Sequence, residues 1–394
     1  MTTGGNDDAL PGMFGDLMKM LQSQGSTTMW KDSAMTLAQS VMNGATTPGA
    51  VQPVTRISLE ELLPLVSLRI NDVTGGALGD AVPPTLTVVD RSQFAKEILE
   101  EWTPRLETLL AASSATAPLE GLDEAVPKEL ELFMSQMLGA MAPVLVGLQI
   151  GSACGHLATE AFGPHDVPLP VEDGSRLTIV GANVDAFAAA WSIDPSAAQI
   201  LALSHELIAS QVFHTPHIAD RLNDLLASAL LEANAAKGSL FEQLGAGGNP
   251  LDLQAMLVDP ESLLDRLSTT EHQWVSEQLS TLVAVLEALV QRFASDVAST
   301  MLGANTPALE AYRRSRTSYG KGIEAVCGLF GIERTPPARE RAMAFVAGVE
   351  QRCGLLELTK MVTRVDGLPT PAEVDAPGLW LERLSLSTGN ETSD

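Results

Sequence analysis

A mainly α-helical fold with a few short strands, of the α+β kind, is predicted by three observations. Apolar residues recur at helical spacing through most of the 394-residue chain. Helix-start pairs such as Asp194-Pro195 and Thr215-Pro216 punctuate it, each a capping side chain followed by a proline at the first helical position. Strand-like β-branching is confined to LTVVD (86–90) and RLTIV (176–180), the second ended by Gly181.

Taken in order, residues 1–11 read as frayed, and Phe14, Leu17, Met18 and Leu21 then fall on one helical face before Gly25. A second helix is expected from about Trp30 to Met42. A Gly/Pro/Thr linker follows at 43–53, so 1–53 forms an N-terminal helical arm that packs on its own domain or docks on a partner. Ser58 with Glu61 is a capping-box pair opening a helix through Leu65–Ile70, with Pro64 able to bend it. Arg91–Leu110 reads as a helix containing Trp102, 113–122 as a loop, and another helix begins near Pro127. Three prolines in GPHDVPLP (163–170) enforce an extended or turning path. Asp194-Pro195 opens a helix to about Phe213, and Thr215-Pro216 another through Leu230. A flexible connection covers 238–250, a long helical pattern about 261–302, and further helices 306–365. The body of the fold is placed at 54–386, with a polar tail at 387–394.

The stretch 132–159 contains no Asp, Glu, Lys or Arg and is long enough to span a bilayer. It also carries Gln136, Pro143, Gln149 and Ser152 and lacks flanking basic or aromatic belts, so a buried helix is the preferred reading. Gly147, Gly151 and Gly155 repeat every four residues and form a smooth stripe for close approach of another helix.

Charge excludes one large class. Lys+Arg 24 against Asp+Glu 49 gives −25, and a polyanion binder needs a basic face instead, so no nucleic-acid partner is expected. Three cysteines, Cys154, Cys327 and Cys353, are too few and too scattered for a disulfide scaffold or a cysteine zinc site. With no signal-peptide pattern at the start, the expected address is the cytoplasm. Residues 312–364 run against the general acidity, with ten Lys/Arg and five Asp/Glu, a local +5 that leaves −30 elsewhere. The cluster Arg313, Arg314, Arg316 and Lys321 either grips a phosphate or acidic partner or pairs with the protein's own acidic half.

Two anomalies mark where chemistry could sit. In the helix opened by Pro195, His205 and Glu206 are adjacent ionisable residues in an otherwise apolar sequence. A core histidine with a satisfied hydrogen bond explains them blandly. The sharper reading is the start of H-E-x-x-H, where i and i+4 imidazoles share a zinc and the glutamate activates its water. Position 209, the second ligand, is alanine. The other anomaly is Glu287, the lone charge between Glu277 and Arg292, in an apolar helical row. It either reaches a buried arginine or water, or serves as a metal ligand or acid/base. His214 and His217 could complete a rearranged site only if the chain folds back on itself.

Four segments together, PVLVGLQIGSACGHLA (143–158), FGPHDVPLP (162–170), LTIVGANV (177–184) and FAAAWSIDPSAAQILALSHELIASQVF (187–213), resemble a bacterial zincin-like metallopeptidase family also associated with deazaflavin-cofactor biosynthesis. The resemblance implies a zincin-like helical domain, His205 as first zinc ligand, Glu206 as general base and Glu287 as a further ligand. It also implies that Ala209 stands at the second ligand. Losing one of four ligands forfeits about 3 kcal/mol of the roughly 10–16 kcal/mol of a zinc site, a hundredfold or more in affinity. The expectation is therefore a degenerate binding or scaffolding member with no cofactor and a protein or peptide partner. The alternative is an active metal-dependent peptidase with zinc held by rearranged ligands.

Overall fold

The computed structural model describes residues 26–47, 49–79, 84–114, 146–171, 174–229, 270–317 and 320–391. The expected helix at 14–21, most of the loop at 113–122, the helix start near Pro127, the first half of 132–159 and the connection at 238–250 lie outside them. Within the described residues the fold is mainly helical with one two-stranded parallel sheet.

Helix α1 is Ser26–Asn43 and α2 is Pro53–Thr74. Helix α2 starts five residues before the Ser58–Glu61 capping box. Pro53 takes the first helical position, while the Ser58 hydroxyl donates instead to Gln199 Oε1 at 2.6 Å. Its inward face is Leu59, Leu63, Val66 and Ile70, the spacing of one helical stripe. Strand β1 (Thr85–Val89) leads into α3 (Arg91–Ser114), and α4 spans 146–160.

The glycine stripe does what its spacing predicts. A Cβ on Gly147 would lie 2.7 Å from the Trp30 carbonyl oxygen, one on Gly151 2.2 Å from that of Ala34, and one on Gly155 2.9 Å from the Ala38 Cα. Backbone therefore meets backbone along α1 and α4, and Trp30, Ala34 and Ala38 are buried. Among the described residues no helix is long and apolar enough to cross a membrane.

Strand β2 (Arg176–Val180) pairs in parallel with β1, from Thr85 opposite Arg176 to Val89 opposite Val180. Helix α5 (Gly181–Trp191) follows, then α6 (Pro195–His214), α7 (216–229) and α8 (Thr270–Leu302). The Asp194 carboxylate accepts from the Ser196 and Ala197 amides at 2.8 and 3.4 Å, which starts α6. Helix α6 is buried nearly all round and packs against α2, α5 and α8. A helix placed this way must be apolar on every side, so each polar residue on it needs a partner. The remaining helices are α9 (Pro307–Ser315), α10 (Lys321–Leu329), α11 (Pro336–Cys353), α12 (Lys360–Thr363), α13 (Pro371–Asp375) and α14 (Pro377–Glu391).

Asn183, in the first turn of α5, ties that helix to the end of α4 and the start of α3. Its amide donates to the carbonyls of Ala158 and Ala161 at 3.0 and 2.7 Å, and its oxygen accepts from Arg91 Nε at 2.7 Å. Arg91 also holds Thr47 through its carbonyl and hydroxyl oxygens.

Candidate functional site

Four elements converge on the middle of α6. His205 and Glu206 project from that helix, and a 3₁₀ turn, Pro164–Asp166, supplies His165 and Asp166. Tyr312 comes from α9, and Arg316 follows one helical turn later on the same side. Glu287 arrives from α8, with Arg334 from the segment before α11.

His205 Nδ1 lies 2.9 Å from the Tyr312 hydroxyl, and its Nε2 lies 3.2 Å from Asp166 Oδ1, off the line of a good hydrogen bond. A neutral ring with the tyrosine hydroxyl donating to Nδ1 satisfies that contact and leaves Nε2 facing Asp166 without a hydrogen bond. The same Asp166 oxygen is paired with the guanidinium of Arg316, while the other accepts from the Phe162 amide. The Arg316 guanidinium lies over the rings of Phe162 and Tyr312, 5.2 and 5.3 Å from their centres. Glu206 turns the other way. Its Oε2 meets His165 Nδ1 at 3.0 Å and accepts from the His165 amide at 3.2 Å. Gly163 makes room for it, since a Cβ there would sit 2.6 Å from the Glu206 carboxyl carbon and 2.5 Å from the Thr178 carbonyl oxygen.

The charges follow from this geometry. Burial alone would raise Asp166, but the positive charge of Arg316 and the His205 contact outweigh it and hold the carboxyl well below the usual carboxylate range. Glu206 has no such partner. Burial, reinforced by the charge on Asp166, pushes it from 4.5 to about 8, so it carries a proton at neutral pH. Burial lowers His165 to about 4, and burial with the charge of Arg316 lowers His205. At pH 7 the charged groups of this cluster are Asp166 and Arg316, one of each sign.

Glu287 lies against the same small cavity, about 20 Å³, whose lining includes Asp166, His205, Arg316 and Arg334. That is room for about one water molecule. The Glu287 carboxylate is paired with Arg334, whose other nitrogen is 3.6 Å from Cys327 Sγ. On the far side of this ion pair is a second cavity of about 150 Å³, lined by both residues together with Ser280, Glu324, Glu333 and Arg339. Of the two other histidines singled out by the sequence, His214 lies edge-on to His165 with ring centres 5.7 Å apart and its Nε2 buried without a hydrogen-bond partner. His214 Nδ1 is 2.7 Å from the Ser210 carbonyl oxygen, and His217 Nε2 is 2.9 Å from that of Met361.

Asp166, His205 and Glu206 place one donor atom each within 4.8 Å of one another, the only such group among the described residues. Its composition suits the zinc expected from the sequence poorly. It offers a single imidazole, Ala209 is fully buried where the second would stand, and Asp166 already serves a guanidinium. Glu206 Oε1, His205 Nε2 and His165 Nε2 are each buried without a hydrogen-bond partner, but His165 stands outside the group of three, which leaves that group two uncommitted donors where a zinc site takes three or four.

His165, Asp166, Tyr312 and Arg334 were not assigned to a site by the sequence, and Arg316 figured only in a basic cluster. The Asp within the proline-rich GPHDVPLP was the one local signal, a charge in a run otherwise built to be buried. Arg314, from that cluster, pairs with Glu310 on its own helix at 2.7 Å.

Comparison with known proteins adds the lineage. The model of a family described as zincin-like metallopeptidase matches residues 30–381. A crystal structure from Chloroflexus aurantiacus, described as that of a candidate hydrolase with a novel fold, superposes with a TM-score of 0.56 at 18% identity. The match covers 90% of this chain and 98% of that one, and at this identity it speaks to the fold. No curated protein matches the chain.

Proposed function

The chain belongs to the zincin-like metallopeptidase family, and from that premise we propose that it is a catalytically degenerate member acting as a binding or scaffolding protein. The observation that carries this reading is the pairing of two of the three acidic side chains at the site with internal arginines, Asp166 with Arg316 and Glu287 with Arg334. A carboxylate already neutralised in this way gains little from a metal ion and must give up a buried partner to bind one. The small volume of the cavity beside His205, about 20 Å³, supports it again, since a peptide backbone does not fit there.

Peptide hydrolysis tests the proposal. Wild-type protein and His205→Ala, each supplied with zinc, are assayed on an unstructured peptide library. The reading requires equal background from both; cleavage by the wild type that His205→Ala abolishes overturns it. One observation favours a second reading, an active metal-dependent hydrolase with rearranged ligands: Asp166, His205 and Glu206 lie close enough to share an ion. Loss of activity in Asp166→Asn as well as His205→Ala would select it.

A further inference from the structure

We propose that Arg316 and Arg334 take the electrostatic place of the metal in this fold, two fixed guanidinium charges standing where a dication would balance the same carboxylates. The inference rests on the degenerate reading above and assigns it a physical cause beyond the missing imidazole at position 209.

Three observations carry it. Both arginine side chains are largely covered, 12% and 6% exposed, although arginine is seldom taken out of water without a reason. Each ends on a different carboxylate of one small cavity, which both line together with His205. Arg316 approaches Asp166 Oδ1, the oxygen that also lies 3.2 Å from His205 Nε2, so its charge sits where an ion held by that histidine and carboxylate would be. Arg316 is also held in place. The rings of Phe162 and Tyr312 flank it, and Tyr312 is the same residue that contacts the other nitrogen of His205. Two unit charges equal the charge of a zinc ion, and two carboxylates are what they neutralise. Repulsion between a dication and a guanidinium a few ångströms away in a buried site then excludes metal independently of the ligand count. Restoring the second histidine alone should therefore fail to restore a metal site.

Cobalt(II) binding to three full-length proteins tests this: wild type, Ala209→His, and Ala209→His combined with Arg316→Met. The visible absorption reports coordination, and chelator competition reports affinity. The expected order is no cobalt band in wild type, none or at least a hundredfold weaker binding in Ala209→His, and one cobalt per chain in the double variant. Equal binding by Ala209→His and the double variant, or no binding by the folded double variant, overturns the inference while leaving the degenerate reading standing. Tight metal in the wild type instead sinks the degenerate reading itself. Should the double variant fail to fold, the pairing is read from thermal melts of Asp166→Asn, Arg316→Met and their combination. A combined variant that melts above the sum of the single losses supports Arg316 as the countercharge of Asp166, and strictly additive losses overturn it.

Discussion

Glu206→Gln should stabilise this protein at neutral pH, the reverse of what removing a buried charge-bearing side chain usually does. Burial and the neighbouring Asp166 hold the Glu206 carboxyl near 8 in the folded chain against 4.5 when exposed. Between these values the unfolded chain has released the proton and the folded chain keeps it, so stability falls as pH rises through that window. At pH 7 the cost is about 3 kcal/mol, taking about 1.36 kcal/mol per pH unit. Glutamine has the same shape and no proton to lose, so it removes that cost. With an unfolding entropy of about 2.1 cal/mol/K per residue, the gain is about 4 °C in Tm at pH 7. His165 and His205, both lowered, act in the opposite sense up to about a pH unit above their usual 6.5 and do so equally in both proteins, so the difference between wild type and variant isolates the glutamate. Differential scanning calorimetry checks it. The wild type should lose about 2 kcal/mol relative to the variant from pH 6.5 to 8. Parallel profiles of wild type and variant, or a variant less stable at pH 7, refute the claim that Glu206 is held protonated.

Other outcomes follow from the packing. Asn183→Ala removes the two carbonyl bonds and the Arg91 contact at once; urea melts should register a loss of about 2–4 kcal/mol, and a loss below about 1 kcal/mol contradicts the pinning role. Gly151→Val drives a side chain into the Ala34 carbonyl, which a Cβ would already meet at 2.2 Å. It should cost at least about 1–3 kcal/mol or separate α1 from α4, which limited proteolysis in the first helix would reveal. Thiol labelling of the native protein should modify Cys353 alone, since Cys154 and Cys327 are buried and pushed up to about 12 and 11. Denaturant should then expose three thiols.

Much of the fold was legible because it is written locally. Helical spacing, the Asp194-Pro195 start and the glycine stripe depend on residues a few positions apart, and the structure places the stripe against α1 as its spacing requires. The start of α2 was misplaced because two N-terminal signals competed, and Pro53 prevailed over Ser58, whose hydroxyl had a distant partner in Gln199. The site was legible on one side only. His205, Glu206 and Glu287 stood out as polar groups in apolar rows, and Ala209 as a gap. Their partners could not be read, because Asp166 and Arg316 are 150 residues apart and Glu287 and Arg334 are 47 apart. Nothing local in Arg316 distinguishes it from Arg313 or Arg314 beside it; only the fold brings it to a buried carboxylate.

The central claim is that this chain is a degenerate member that does not retain a metallopeptidase's zinc. Elemental analysis of the full-length wild-type protein, purified without chelator and equilibrated with excess zinc before gel filtration, tests it most directly. The account predicts less than a tenth of a zinc ion retained per chain, unchanged in His205→Ala (an order-of-magnitude expectation from a site about a hundredfold or more weakened). One zinc per chain, lost in His205→Ala, contradicts it.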